Sequence, residues 1–200
     1  KYPIPPDNPV ANFAVAFSRE ALIVHIEVKD DSPFMNSGED FKTLFKTGDA
    51  IDLRLALDPK QHPDRKELAA GDVRILVANF NGKPAAVLYR FVVPGTSEEA
   101  KSKFSSPTGT AVVDSVTIMK NVSTAIAKDS GAYTAEITIP WKELGLSAAP
   151  RGILRGDVGV IMSDSAGTIN VARYYHFDQN SQVTVDLPSE TCVDPSQWGR

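Results

Sequence analysis

Apolar residues in this chain recur two positions apart, and that period constrains the fold more than any other feature. In "AIDLRLALD", Ile51, Leu53, Leu55 and Leu57 fall on one side, and Asp52, Arg54, Ala56 and Asp58 on the other. "LIVHIEV" sets Leu22, Val24, Ile26 and Val28 against Ile23, His25 and Glu27, while "NFAVAF" aligns Phe13, Val15 and Phe17. Successive side chains leave a strand on opposite faces, so this alternation builds half-buried strands. The rhythm returns in "DVRILVANF", "AAVLYRFVV", "TAVVDSVTIM", "AYTAEITI", "DVGVIMS", "INVARYYHF" and "QVTVDL". Turn chemistry separates several of them, at Asn81-Gly82, Asp129-Ser130-Gly131 and Asp164-Ser165-Ala166-Gly167, and "SREA" is short enough for a hairpin. About ten short strands without a long amphipathic helix between them predict an antiparallel all-β sandwich and argue against βαβ units.

Three stretches lack the rhythm. Residues 30–47 read as an acidic loop with a short helix at "EDFKTLF", residues 59–71 as a charged excursion, and residues 94–108 as an exposed loop. The 200 residues suit one domain over 1–200 with a core large enough to fold without disulfides or metal. Cys192 is the single cysteine, so no internal disulfide can form. A net charge of -4 and the lack of a basic cluster interleaved with aromatics exclude a nucleic-acid partner. No apolar run is long enough for a membrane-spanning helix, so no membrane insertion is expected. The chain begins at Lys1, which reads as a processed chain or a piece of something longer.

The stretch "TAEITIPWKELGL" changes rhythm midway. Tyr133, Ala135, Ile137 and Ile139 make the inward face of a strand. Pro140 ends it, because proline cannot donate to a ladder, and its fixed φ suits the start of a helical turn. Gly145 stands in the capping place of that turn. Trp141 is then expected to plug the core.

The pattern Tyr133, Glu136, Ile137, Ile139, Pro140, Trp141, Leu144, Gly145 resembles the most recognisable motif of family 9 carbohydrate-binding modules and their DOMON-like relatives. "TGDAIDLRLALDP" is similar to that family's Gly/Asp-led strand, with Asp52 at the position of its glutamate. "ALIVHIEVKDDSP" and the closing "PSQWGR" match in order and spacing. The resemblance covers most of the chain from about residue 12. It implies an immunoglobulin-like or jelly-roll-like β-sandwich and non-catalytic binding of a polysaccharide or oligosaccharide. It also implies an accessory domain of a larger protein that is secreted, periplasmic or on the cell surface, with the parent chain's other domains as partners. Some members carry structural calcium, and some relatives hold a b-type haem. Sugar-binding members clamp the ligand between exposed tryptophans, whereas Trp141 and Trp198 here occupy motif positions of structural type.

Saccharide recognition needs an aromatic face against the pyranose ring and planar polar groups for its hydroxyls. Asp52 and Arg54 lie on the polar side of their strand, Arg74 lies opposite Val73, Ile75 and Val77, and Asn79 closes the same strand. "NVARYYHF" adds Arg173, Tyr174, Tyr175 and His176. These eight residues are the expected ligand-binding set on a sheet face. The alternative is a solvated face with cross-strand ion pairs, in a sandwich that has lost its sugar and serves a structural or interaction role.

Asp30, Asp31, Asn36, Glu39 and Asp40 offer oxygen donors for structural calcium, although their spacing is not that of an EF-hand and a solvated acidic turn is the plainer reading. No cofactor is required. Haem would need two axial ligands among His25, His62, His176, Met35, Met119 and Met162, none in a Cys-x-x-Cys-His setting. No Gly-x-Ser-x-Gly, His-Glu-x-x-His, phosphate loop or zinc-type cluster occurs, so the expected protein is not an enzyme. Arg155-Gly156-Asp157 reads as ordinary turn composition, and Asn121-Val122-Ser123 counts as a glycosylation sequon only in a eukaryotic source and on an exposed segment.

Overall fold

The computed structural model describes residues 10–184 and 186–199. Among them are twelve strands and only short helical pieces. Two compact units divide the chain: one comprises residues 1–34 and 120–149, the other 35–119 and 150–200.

The first unit is a four-stranded antiparallel sheet in the order β1-β2-β10-β9, with β1 Ala11–Phe17, β2 Ala21–Lys29, β9 Ser123–Asp129 and β10 Ala132–Pro140. The predicted inward faces of β2 and β10 hold, since Leu22, Val24, Ile26 and Val28 are buried, as are Tyr133, Ala135, Ile137 and Ile139 opposite them in register, whereas Phe13, Val15 and Phe17 of the edge strand β1 are exposed. The Ser18–Glu20 turn is tied by the Ser18 hydroxyl, which accepts from the amides of Glu20 and Ala21. Pro140 sits at the strand's last position, just outside the 3-10 helix Trp141–Leu144, and Gly145 caps it at φ 82°. Trp141 is buried, and its indole donates to the carbonyl of Ser18 at 3.1 Å. The sequence pattern overlooks β9, because Thr124, Ile126 and Lys128 on one face and Ser123, Ala125 and Ala127 on the other give little hydropathic contrast.

The second unit holds a six-stranded antiparallel sheet, β12-β11-β3-β4-β5-β8. These strands are β3 Ala50–Ala56, β4 Asp72–Phe80, β5 Lys83–Arg90, β8 Ser115–Ile118, β11 Arg155–Ser163 and β12 Asn170–Tyr175. A hairpin of β6 Ser102–Ser106 and β7 Gly109–Val113 completes it. Here the expectation of half-buried strands fails. β3 and β4 are buried on both faces, Asp52, Arg54 and Arg74 included. On the face bearing those charges, a second apolar cluster gathers Leu44, Phe45, Leu76, Val87, Tyr89, Phe104, Ile161 and Trp198. Leu76, Val87, Tyr89 and Ile161 project from the sheet, and Leu44 and Phe45 of the 41–46 turn, Phe104 of β6 and Trp198 of the C-terminal segment cover them.

Other expectations change for the same reason. Residues 94–108 are not all exposed loop, since Phe104 of β6 is buried. "TAVVDSVTIM" splits at Asp114 into β7 and β8, and the Asp114 carboxylate accepts from the amide of Val93. "QVTVDL" forms no strand among its described residues. Asp186 instead caps the short helix α1, Leu187–Thr191, where Pro188 suits the first turn. The helix expected at "EDFKTLF" is a 3-10 turn, Phe41–Lys46, capped by Asp40.

Candidate functional site

Asp52, Arg54, Arg74, Arg173 and Tyr175 do converge, on one face of the six-stranded sheet. What brings them together is a missing side chain. Asp52 pairs in register with Gly159 of β11, and Gly159 pairs with Tyr175 of β12. A Cβ on Gly159 would lie 2.2 Å from the Tyr175 ring, so only glycine lets that ring cross β11. The Tyr175 hydroxyl then donates to Asp52 Oδ2 at 2.5 Å.

Arg74 grips the same carboxylate from the other side: its Nε is 3.0 Å from both oxygens and its Nη2 donates to Oδ2 at 2.7 Å. Its Nη1 reaches the carbonyl of Glu190 at 3.0 Å. Arg54 stacks on the Tyr175 ring at 3.8 Å and donates to Asp178 Oδ2 at 2.7 Å and Ser181 Oγ at 3.1 Å. Arg173 donates to Glu190 Oε2 and to the carbonyl of Phe45, each at 2.5 Å. Glu190 Oε1 takes the amide of Thr184 and ion-pairs with Lys46 at 3.0 Å.

Charge sets the protonation states. Burial alone would raise the Asp52 carboxyl, but the guanidiniums of Arg74 and Arg54 and the donors from Arg74 and Tyr175 hold it below its usual value. Burial pushes the Tyr175 phenol up, so it stays a hydrogen-bond donor. Burial also raises Asp157, partly opposed by the amides of Phe177, Asp178 and Val158 that its side chain accepts.

Three guanidiniums thus meet the carboxylates of Asp52, Asp178 and Glu190 inside the second unit. This is a correction to the expected open sheet face: Asp52 is 0% exposed, Arg74 0% and Arg54 1%. The C-terminal segment supplies the cover and most of the partners. Asp178, Ser181 and Glu190 escape the sequence reading because they lie outside the alternating strands. The one available signal is the carboxylate of "FDQNS" directly after a strand.

The remaining candidates fall elsewhere. Asn79 is five positions from Arg74 on β4, hence on the opposite face and about 16 Å along the strand. Tyr174 (43% exposed) and His176 point away from the buried cluster. The His176 ring meets Phe177 edge to face with centroids 4.4 Å apart. Phe177, 42% exposed, lies against the α-carbon of Gly199, where an added Cβ would be 2.0 Å from the ring.

Of the acidic set, Asp30 and Asp31 belong to the first unit and Asn36, Glu39 and Asp40 to the second. Asp30 accepts from the amide and hydroxyl of Ser32, Asp40 caps its 3-10 helix, and the Asn36 amide group bonds Leu44, Thr47, Asp49 and Gly38. Asp31 and Glu39 are exposed. Among the described residues no group of three His, Cys, Asp or Glu is placed to hold a metal ion. Trp141 and Trp198, 1% and 2% exposed, fill cores as expected. No helix among the described residues is long and apolar enough to cross a membrane.

No protein-family profile matches this chain, and no curated protein matches it in sequence. Among solved structures it is similar to a family 9 carbohydrate-binding module from Caldicellulosiruptor kristjanssonii in complex with glucose. The TM-score is 0.54 at 17% identity, covering 100% of this chain and 81% of that one. A structure of a family 9 module from the same organism in complex with cellotriose gives TM-score 0.54 at 18% identity, covering 94% and 72%. The shared feature at such identities is the fold: an all-β sandwich of the kind found in family 9 carbohydrate-binding modules.

Proposed function

We propose that this chain is a non-catalytic carbohydrate-binding module of a larger exported protein, and that its saccharide docks on the exposed aromatics Tyr174, His176 and Phe177. The carrying observation is the fold shared with modules crystallised with glucose and cellotriose. Within it, of the predicted ligand residues on β12 and just after it, only Tyr174 and His176 are exposed. Phe177 joins them, its ring fixed against Gly199. Aromatic rings held in place present a flat face to a pyranose without losing side-chain entropy on binding. The buried Arg-Asp-Tyr cluster serves as scaffold, since Asp157 and Asp178 hold the turn that carries His176 and Phe177. The reading is binding and not hydrolysis because the solved structures of this fold are carbohydrate-binding modules in complex with sugars.

A glycan array followed by calorimetry on the intact chain tests this. A neutral oligosaccharide should bind, and Tyr174→Ala should remove most of that binding while leaving the melting temperature unchanged. The burial of Asp52, Arg54, Arg74, Arg173 and Tyr175 favours one rival, a structural or interaction domain without a sugar ligand. A folded protein that ignores every glycan offered would establish that rival.

A further inference from the structure

A cleft at the far end of β3 and β11 belongs to none of the chemistry above. It has a volume of about 480 Å³ and is lined by the 58–63 loop and the 151–155 segment. That volume lies within the range of about 300–1,000 Å³ occupied by small-ligand pockets. Ala56, Pro59, Pro63 and Ile153 give it an apolar wall, and Ile153 is 65% exposed there.

The polar part of the lining is strongly biased. Lys60, Arg151 and Arg155 face a single carboxylate, Asp58, on a chain whose overall charge is -4. Asp58 offsets one of the three, so positive charge predominates, and its oxygens are turned to its own loop: Oδ1 accepts the amide of Lys60 at 3.0 Å, and Oδ2 the side-chain amide of Gln61. Among the described residues neither Lys60 nor Arg151 has an ion-pair partner. Arg155 is anchored, donating to the carbonyl of Trp198 at 2.5 Å and paired in register with Ala56. Gly152, at φ 108°, brings the second segment to within 3.5 Å of Pro59 at the position its Cβ would take. The cleft is therefore positively charged, walled by aliphatic groups, and supported by a strand on one side.

We infer that this cleft binds an acidic sugar, with the carboxylate of a uronic acid between Arg151 and Lys60 and the ring's C–H face on Pro59, Pro63 and Ile153. A guanidinium matches a carboxylate with two parallel donors, and Gln61 adds a planar amide for a neighbouring hydroxyl. Binding at this place is independent of the aromatic surface at Tyr174. The two can therefore fail separately.

The test is amide-resolved NMR titration of the intact chain with trigalacturonate, with cellotriose and sodium sulfate as parallel ligands. Trigalacturonate should saturably move the amides of Lys60, Gln61, Gly152 and Ile153, and binding should weaken as salt is raised. The double variant Arg151→Ala/Lys60→Ala should weaken binding about tenfold or more with an unchanged melting temperature, Arg151→Lys should recover part of it, and Tyr174→Ala should have no effect. Unmoved amides at millimolar trigalacturonate would overturn the assignment. So would an equal response to cellotriose, or a response to sulfate that the sugar acid does not exceed.

Discussion

Tyr175 reaches Asp52 across the bare α-carbon of Gly159, and the hydroxyl-carboxylate contact at 2.5 Å spans three strands. Every other member of the buried cluster is arranged around that line. Arg74 closes it from the side of β4, and Arg54 lies flat on the ring.

Gly159→Ala should therefore be costly without adding any polar group. The new methyl would meet ring carbons at 2.2–2.8 Å, so Tyr175 must swing away and release Asp52. Overpacking of this kind costs about 1–3 kcal/mol. Urea denaturation of the variant should show the loss, and a midpoint equal to that of the parent would refute the geometry.

Asp52→Asn removes the charge shared by Arg74, Arg54 and Tyr175 while keeping the volume. Stranding buried guanidiniums costs about 3–5 kcal/mol, enough to take much of a domain's stability. The same carboxylate predicts an acid limb. Its folded value is depressed, so its contribution is present above the unfolded value of about 3.9 and disappears as pH falls through the lower folded one. Asp157, raised by burial, acts in the opposite sense: its contribution is full at low pH and fades as pH climbs through its folded value. Denaturation midpoints measured from pH 7 to pH 2 should fall steeply at the acid end in the parent and more shallowly in Asp52→Asn.

Arg173 and Glu190 form a pair that should not behave additively. In a cycle of Arg173→Met, Glu190→Gln and the double change, the coupling expected is about 0.5–3 kcal/mol, because each single variant leaves a buried partner unmatched. Additivity within about 0.3 kcal/mol would mean that Lys46 and Thr184 alone satisfy Glu190.

Both tryptophans should be shielded from aqueous quenchers. Acrylamide should reach neither indole in the folded protein, and emission should shift red only on unfolding. Trp141→Ala, which also loses the bond to Ser18, should cost about 3–5 kcal/mol. Strong quenching in the native state would contradict the burial of Trp141 and Trp198.

Alternation made the strands legible because it needs only a residue and its neighbours at ±2. Leu22 to Val28 and Tyr133 to Ile139 are read correctly for that reason. It could also set Asp52 and Arg54 on the polar side of one strand and Arg74 on that of another, but it could neither make those strands neighbours nor tell a wetted face from a covered one. Covering is decided by residues such as Phe45, Phe104 and Glu190, which lie in a 3-10 turn, a five-residue strand and a five-residue helix too short to show a period. β9 disappears among its Thr and Ala positions, and α1 is masked by the apparent strand "QVTVDL". Tyr174 and Tyr175 look alike in the string, yet one is 43% and the other 7% exposed.

Asp178 and Glu190 lie more than a hundred residues beyond Arg54 and Arg74, which they help to satisfy. During synthesis from the N-terminus, Asp52 is the one acidic member of the cluster on hand when Arg54 and Arg74 leave the ribosome, and Arg173 arrives before Glu190. The earlier strands can pair first, but the inner charges stay in water until the segment carrying Asp178, Ser181 and Glu190 is delivered and folds down upon them. Arrival of Asp178, Ser181 and Glu190, and not pairing of the strands, is then the event that dries the interior.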